Sequence, residues 1–291
     1  MYTKHQALPT RSRLPKLVAV FIMIALLLPA IRALSQTPTQ QMYVGVNFIK
    51  VHPGKQEQYR QLVEKYGKKV NEYLFKNQNL MGWYLYQVLM PVGSSNDFDY
   101  AAVNVTGSLA ALLDFPMSTK ELYKKVFPEM TDKMISDVQT QLDECRHIVR
   151  REIYTPVQGA HTDDAPNAPP GKYMQVDLMH PAAGKTADYI KMEKETFLPL
   201  HTERIKMGIL KGWGLYEKIM PVDTRMGYEY VTVNFYDDLN KLGEGYTESV
   251  KKLFPQKDMN AMMNETESTR TMVQSGIWKL MHYVDTSNTK K

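Results

Sequence analysis

Apolar positions along the chain fall into two periods, two and about 3.6, and the periods alternate in one order that occurs twice. From Met42 to Val51 apolar and polar residues alternate, with β-branched and aromatic side chains, which predicts a strand. Pro53-Gly54 turns the chain. From Lys55 to Asn77, Tyr59, Leu62, Val63, Tyr66, Val70, Tyr73 and Leu74 recur at spacings of three and four, a helical stripe. Gly82 to Val92 and Phe98 to Thr106 predict two more strands, joined by a turn at Gly93-Ser94-Ser95-Asn96. Ser108 to Cys145 predicts helix, broken near Pro116 and Pro128, and His147 to Thr155 a fourth strand. The order returns from Tyr173 to Val284, with long helices predicted over Thr186 to Met207 and Leu239 to Arg270.

The two runs are copies of one unit. Gly82-Trp83-Tyr84-Leu85-Tyr86-Gln87-Val88-Leu89-Met90-Pro91-Val92 aligns with Gly212-Trp213-Gly214-Leu215-Tyr216-Glu217-Lys218-Ile219-Met220-Pro221-Val222 at an offset of 130, with seven of 11 positions identical. The same offset pairs Tyr100 with Tyr230, Val103 with Val233 and Asn104 with Asn234. The period is far too long for a solenoid, so each copy is domain-sized. The expected organisation is copy one over 36–155, a Pro-, Gly- and Asp-rich linker over 156–172, copy two over 173–284 and a tail over 285–291.

Strand, helix, strand, strand, helix, strand is the ferredoxin-like βαββαβ order: an α+β unit with an antiparallel sheet and both helices on one face. The bare face of one sheet is covered when two such sheets face each other. This order and the tandem duplication resemble the dimeric α/β-barrel superfamily, which includes antibiotic-biosynthesis-type monooxygenases, EthD-like and NIPSNAP-like proteins. The resemblance implies that the two fused copies pair within one chain as two chains pair elsewhere.

Alternation along the strands suggests which residues face the space between the sheets. In the first and third strands of each copy, the aliphatic rows (Val44, Val46 and Phe48; Ala101, Val103 and Val105) are expected beneath the helices. Their opposite rows put Asn47, Tyr100, Asn104, Asp177, Tyr230 and Asn234 between the sheets. In the second strands Tyr86 and Tyr216 face the same space. In the fourth, Arg150, Glu152 and Tyr154 do so, answered by Gln274, Gly276 and Trp278. Tyrosine offers an apolar body with a polar tip, and buried amides and carboxylates need partners. Asn47, Tyr86, Tyr100, Asn104, Asp177, Tyr216, Tyr230, Asn234 and Trp278 are therefore the expected lining of a site for a small aromatic or amphipathic molecule.

Two other classes stay open. One is an enzyme like the superfamily's monooxygenases, with Asp177 or His201 as the candidate base. The other is an assembly protein without a ligand. No HExxH, GxSxG or GxGxxG is present, and Met179 stands where a P-loop ending in Gly184-Lys185-Thr186 needs glycine. Accordingly no metal and no cofactor are expected. Haem, which related barrels hold from around the helix bearing His201, is the alternative that the resemblance supplies.

Charge changes the picture only at the N-terminus. The chain has Lys+Arg 36 and Asp+Glu 31, a net +5. Residues 1–35 hold five basic residues and no acidic ones, leaving 31 against 31 in the remainder. A basic lead, an apolar run from Leu17 to Ala30, and Ala33 and Ser35 at cleavage spacing make 1–35 an expected export signal. The mature protein is expected in a periplasm or outside the cell, without stable membrane insertion, as a monomer or weak homo-oligomer. Its balanced charge gives no reason to expect a nucleic-acid partner. The single Cys145 excludes a disulfide framework.

Overall fold

The computed structural model describes residues 41–92, 97–162, 170–222 and 227–287. The expected signal at 1–35, the turn at 93–96, the middle of the linker and the end of the tail lie outside the described residues. Copy one contains β1 (Tyr43–Val51), helix α1 (56–76), β2 (Gly82–Met90), β3 (Tyr100–Thr106), three short helices and β4. The short helices are α2 (Leu109–Leu113), α3 (Thr119–Val126) and α4 (Asp132–Cys145), and β4 is Arg146–His161. Copy two contains β5 (Tyr173–Pro181), α5 (186–206), β6 (Gly212–Met220), β7 (Tyr230–Tyr236), α6 (Tyr246–Leu253), α7 (Met259–Thr269) and β8 (Arg270–Val284).

Local chemistry explains the helix ends. Ser118 caps α3 in a reciprocal box with Glu121, and Thr131 accepts from Met134 at the start of α4. Both long helices contain one wide π turn at the same repeat position, Val63–Gly67 in α1 and Glu193–Phe197 in α5.

Each copy forms a four-stranded sheet, β4-β1-β3-β2 and β8-β5-β7-β6. The two join at their edges as β2 with β8 and β4 with β6, closing an eight-stranded barrel. An unpaired edge exposes a row of N–H and C=O groups, and closure removes all four at once. The expected tandem ferredoxin-like fold is therefore present, its facing sheets fused along both seams. One boundary differs. Residues 156–161, expected as linker, extend β4 and pair with β6, Pro156 opposite Tyr216 and His161 opposite Gly212. The register shifts between Pro156 and Gln158, and such a bulge accommodates a residue that lacks an N–H donor.

The barrel interior and the helix-facing surface have separate cores. Val46, Phe48, Tyr86, Val88, Ala101, Val176, Val231, Val233 and Trp278 pack inside. Outside, Tyr59, Leu62 and Val63 of α1 pack on Trp83, Leu85 and Tyr100. Tyr189 and Met192 of α5 pack on Trp213, Leu215 and Tyr230. This corrects the faces expected for β1, β3, β5 and β7: their aliphatic rows line the interior, and their Tyr and Asn rows lie beneath the helices. The physical reason is ring-on-ring packing. Tyr59 sits 5.0 Å from Tyr100, and Tyr189 sits 5.3 Å from Tyr230, the same contact in both copies. The second and fourth strands of each copy face as expected.

The seams predict how the protein unfolds. A Cβ at Gly276 would lie 2.9 Å from the Met90 carbonyl oxygen across the β2–β8 seam. Gly276→Val should cost about 1–3 kcal/mol and lower Tm by roughly 3–10 °C. Calorimetry should still show one transition, because the copies share the barrel wall; separate melting of the copies would contradict a shared wall.

Candidate functional site

Inside the barrel lies a cavity of about 560 Å3. Val44, Val46, Val103, Val176, Val231 and Val233 form much of its wall, with Phe48, Phe98, Tyr86 and Trp278 on one side. Phe98 meets Phe48 edge-on at 4.7 Å and Trp278 at 5.8 Å. The copies place different residues at matching repeat positions: Phe98 of copy one is answered by Tyr228, and Trp278 of copy two by Tyr154. The cavity thus has an aromatic side and a phenolic side.

Glu152 organises the phenolic side. It is 0% exposed and accepts from Arg150 Nε at 3.0 Å, from Tyr228 OH at 2.7 Å and from Tyr154 OH. Arg150 belongs to copy one and Tyr228 to copy two, so one carboxylate ties both copies together. The Arg150 guanidinium stacks 4.0 Å over the Phe48 ring. Burial alone would weaken its hold on its proton, but Glu152 and Tyr228 together more than offset this and hold Arg150 above the usual value. Burial, reinforced by the Glu152 charge, pushes the Tyr228 phenol up, and burial also raises Tyr86 and Tyr216. These phenols are hydrogen-bond donors at neutral pH. Tyr84, another lining residue, donates to Asp285 at 3.2 Å.

Of the expected lining residues, Tyr86, Tyr216 and Trp278 reach this cavity. Asn47, Tyr100, Asn104, Asp177, Tyr230 and Asn234 do not, because they lie on the helix-facing side of the barrel wall. Asn47 and Asn104 instead line a second space of about 170 Å3 between the copy-one sheet and its helices. There Arg151 Nε donates to Asn47 Oδ1 at 2.7 Å. Tyr100 and Tyr230 pack against the helices as described.

Asp177 and Asn234 belong to the equivalent region of copy two, which side chains fill. Gln175 stands where copy one has Gly45, and Arg204 where copy one has Leu74. Arg204 is 0% exposed, donates to the Glu244 carbonyl at 2.9 Å and stacks 3.9 Å from the Tyr246 ring. Asp177 accepts from Ser275 Oγ at 2.5 Å and Gln175 Nε2 at 3.0 Å. Burial raises its pKa against these donors. His201 stacks on Trp213 at 5.1 Å, with Nδ1 3.2 Å from Arg204. Burial and the Arg204 charge push the imidazole well below its ordinary range. Both candidate bases are thus enclosed in a packed network, away from the barrel cavity.

The residues that matter most inside the barrel include Arg150, Glu152, Tyr154 and Tyr228. Alternation along the fourth strand places the first three inside, but Gln274 and Gly276 in copy two break the repeat signal. Tyr228 precedes β7, and the offset of 130 from Phe98, where the third strand of copy one is expected to begin, is the signal that points to it.

Two predictions follow from these buried groups. Glu152→Ala leaves Arg150 and two phenols without their acceptor and should cost about 3 kcal/mol in urea unfolding. Glu193, in the π turn of α5, is pushed up to about 7 by burial, with Arg270 opposing and Asp177 reinforcing the shift. Its folded pKa lies above its unfolded one, so deprotonation of the unfolded chain favours unfolding as pH rises from about 4.5 to about 7. Over that window stability should fall by ~3 kcal/mol and then level off, and Glu193→Gln should remove the slope.

No protein-family model and no curated protein matches the chain. Solved structures do match. A protein from Fusobacterium nucleatum, provisionally described as a monooxygenase, superposes with TM-score 0.53 at 8% identity, covering 84% of this chain and 94% of that one. A provisionally assigned chlorite dismutase gives TM-score 0.44 at 14% identity over 85% and 97% of the two chains. A haem-binding protein from Thermus thermophilus gives 0.46 at 12% over 83% and 91%. The last corrects the expectation of no cofactor, which rested on missing motifs: haem is carried by a structural neighbour of this chain. As placed here, the faces of His201 meet Trp213 and Phe197, and the cavity phenols are held protonated. Neither place presents a ready axial donor facing a slot. The likeness shows the fold: a dimeric α/β-barrel with both halves in one chain.

Proposed function

We propose that the chain takes a small apolar or amphipathic molecule into the barrel. The cavity of about 560 Å3 carries this reading. Its volume falls within the range of about 300–1,000 Å3 usual for small-molecule sites, and its valine wall with a few phenols fits that class. The aromatic side supplies stacking area through Trp278 and Phe98, and Arg150 with the phenols orients a polar end. The 1–35 segment supports placing this activity after export.

Trp278 makes the proposal measurable. An apolar anilinonaphthalene fluorophore should quench Trp278 emission and saturate. Val233→Trp, which fills the cavity, should weaken probe binding at least about tenfold, or 1.4 kcal/mol. Unchanged binding in a folded Val233→Trp protein would place the ligand elsewhere.

The convergence of Asn47, Asn104 and Arg151 on the copy-one cleft supports a second reading, a monooxygenase-like enzyme. The amides and guanidinium would hold an activated aromatic substrate there, in keeping with the description of the Fusobacterium structure. Oxygen uptake with such a substrate should then fall in Asn104→Ala and Arg151→Ala but survive Val233→Trp. The opposite pattern would assign turnover to the barrel.

A further inference from the structure

His52 and His147 lie 95 residues apart in sequence, at the end of β1 and the start of β4. The strand register brings them together: Lys50 pairs with His147, and the His52 amide donates to the Cys145 carbonyl at 2.8 Å. His52 Nε2 is 3.3 Å from His147 Nδ1. On its other side, His52 Nδ1 is 2.9 Å from the Glu144 carbonyl oxygen. A carbonyl only accepts, so in the neutral ring Nδ1 carries the proton and the lone pair sits on Nε2, aimed at His147. An N–H bonded to a backbone carbonyl is the arrangement that orients metal-binding imidazoles.

We propose that His52 and His147 bind one divalent transition ion, with zinc as the best fit. Two nitrogens at about 2.0–2.1 Å from one tetrahedral zinc lie ~3.3 Å apart, the separation observed. His147 is exposed and His52 half-buried, which leaves the remaining coordination positions to solvent. The ion clips the end of β1 to the start of β4, beside the entry to α1.

Copy two lacks the pair. The Ala182 amide donates to the Thr269 carbonyl at 2.9 Å, as His52 does to Cys145, and Thr271 sits opposite His180 where His147 sits opposite Lys50. Ala182 and Thr271 therefore occupy the two positions, and the backbone there is formed without imidazoles. H52A/H147T copies that natural solution, so the substituted protein should fold.

The test is calorimetric titration of untagged, chelator-treated full-length protein with zinc chloride near neutral pH. The expected result is saturable binding of one zinc per chain and a Tm that rises with zinc concentration. H52A/H147T should weaken binding more than about tenfold and abolish the Tm rise. Absence of saturable binding by the wild-type chain, or binding unchanged in the double variant, would overturn the assignment. Neither outcome depends on what the barrel binds.

Discussion

The structure depends on the pairing of sheet edges. A ferredoxin-like sheet in the order β4-β1-β3-β2 leaves two strand edges unpaired and one face uncovered. A second copy satisfies all three needs together, because β2 pairs with β8, β4 with β6, and the bare faces meet inside. Joining the copies in one chain makes the pairing intramolecular, so it does not depend on protein concentration. An eight-stranded barrel is just wide enough to be filled by side chains or to hold one small ligand. The short valines at Val46, Val176 and Val233 leave space that larger residues there would fill.

Closure also dictates the electrostatics. A charge inside this wall has lost water on every side and must find partners from the protein. Glu152 finds three, two from its own strand and Tyr228 from the other copy. That arrangement works only when the copies sit in the register that the seams impose, so closure and the polar side of the cavity support each other. It also fixes Arg150 and the phenols in place before a ligand arrives.

The element order and the duplication were legible in the sequence because both are local: periodicity within about ten residues, and one constant offset between copies. The faces of the second and fourth strands were legible too, since Trp83 and Leu85 contrast sharply with Tyr84 and Tyr86. The first and third strands misled because both of their faces are buried. An aliphatic row then carries no label saying which side it belongs to, and alternation cannot supply one. What decides is the partner: Tyr59 and Tyr189 come from the helices and select Tyr100 and Tyr230. Glu152 with Tyr228 and His52 with His147 were illegible because register alone joins residues so far apart.

The two copies have diverged in different directions at the same places. Beneath its helices, copy one has Gly45 and Leu74 and keeps a small polar cleft. Copy two has Gln175 and Arg204, and its cleft is packed. A buried guanidinium such as Arg204 is tolerable only because the Glu244 carbonyl, Tyr236 and the Tyr246 ring surround it. That enclosure gives copy two a polar core that is difficult to alter one residue at a time. The barrel cavity has the opposite property. Its wall comes from both copies, so its aromatic and phenolic sides could diverge independently, Phe98 against Tyr228 and Trp278 against Tyr154, without disturbing either helix layer. A ligand held there touches both halves of the duplication, whereas one in the cleft touches only copy one.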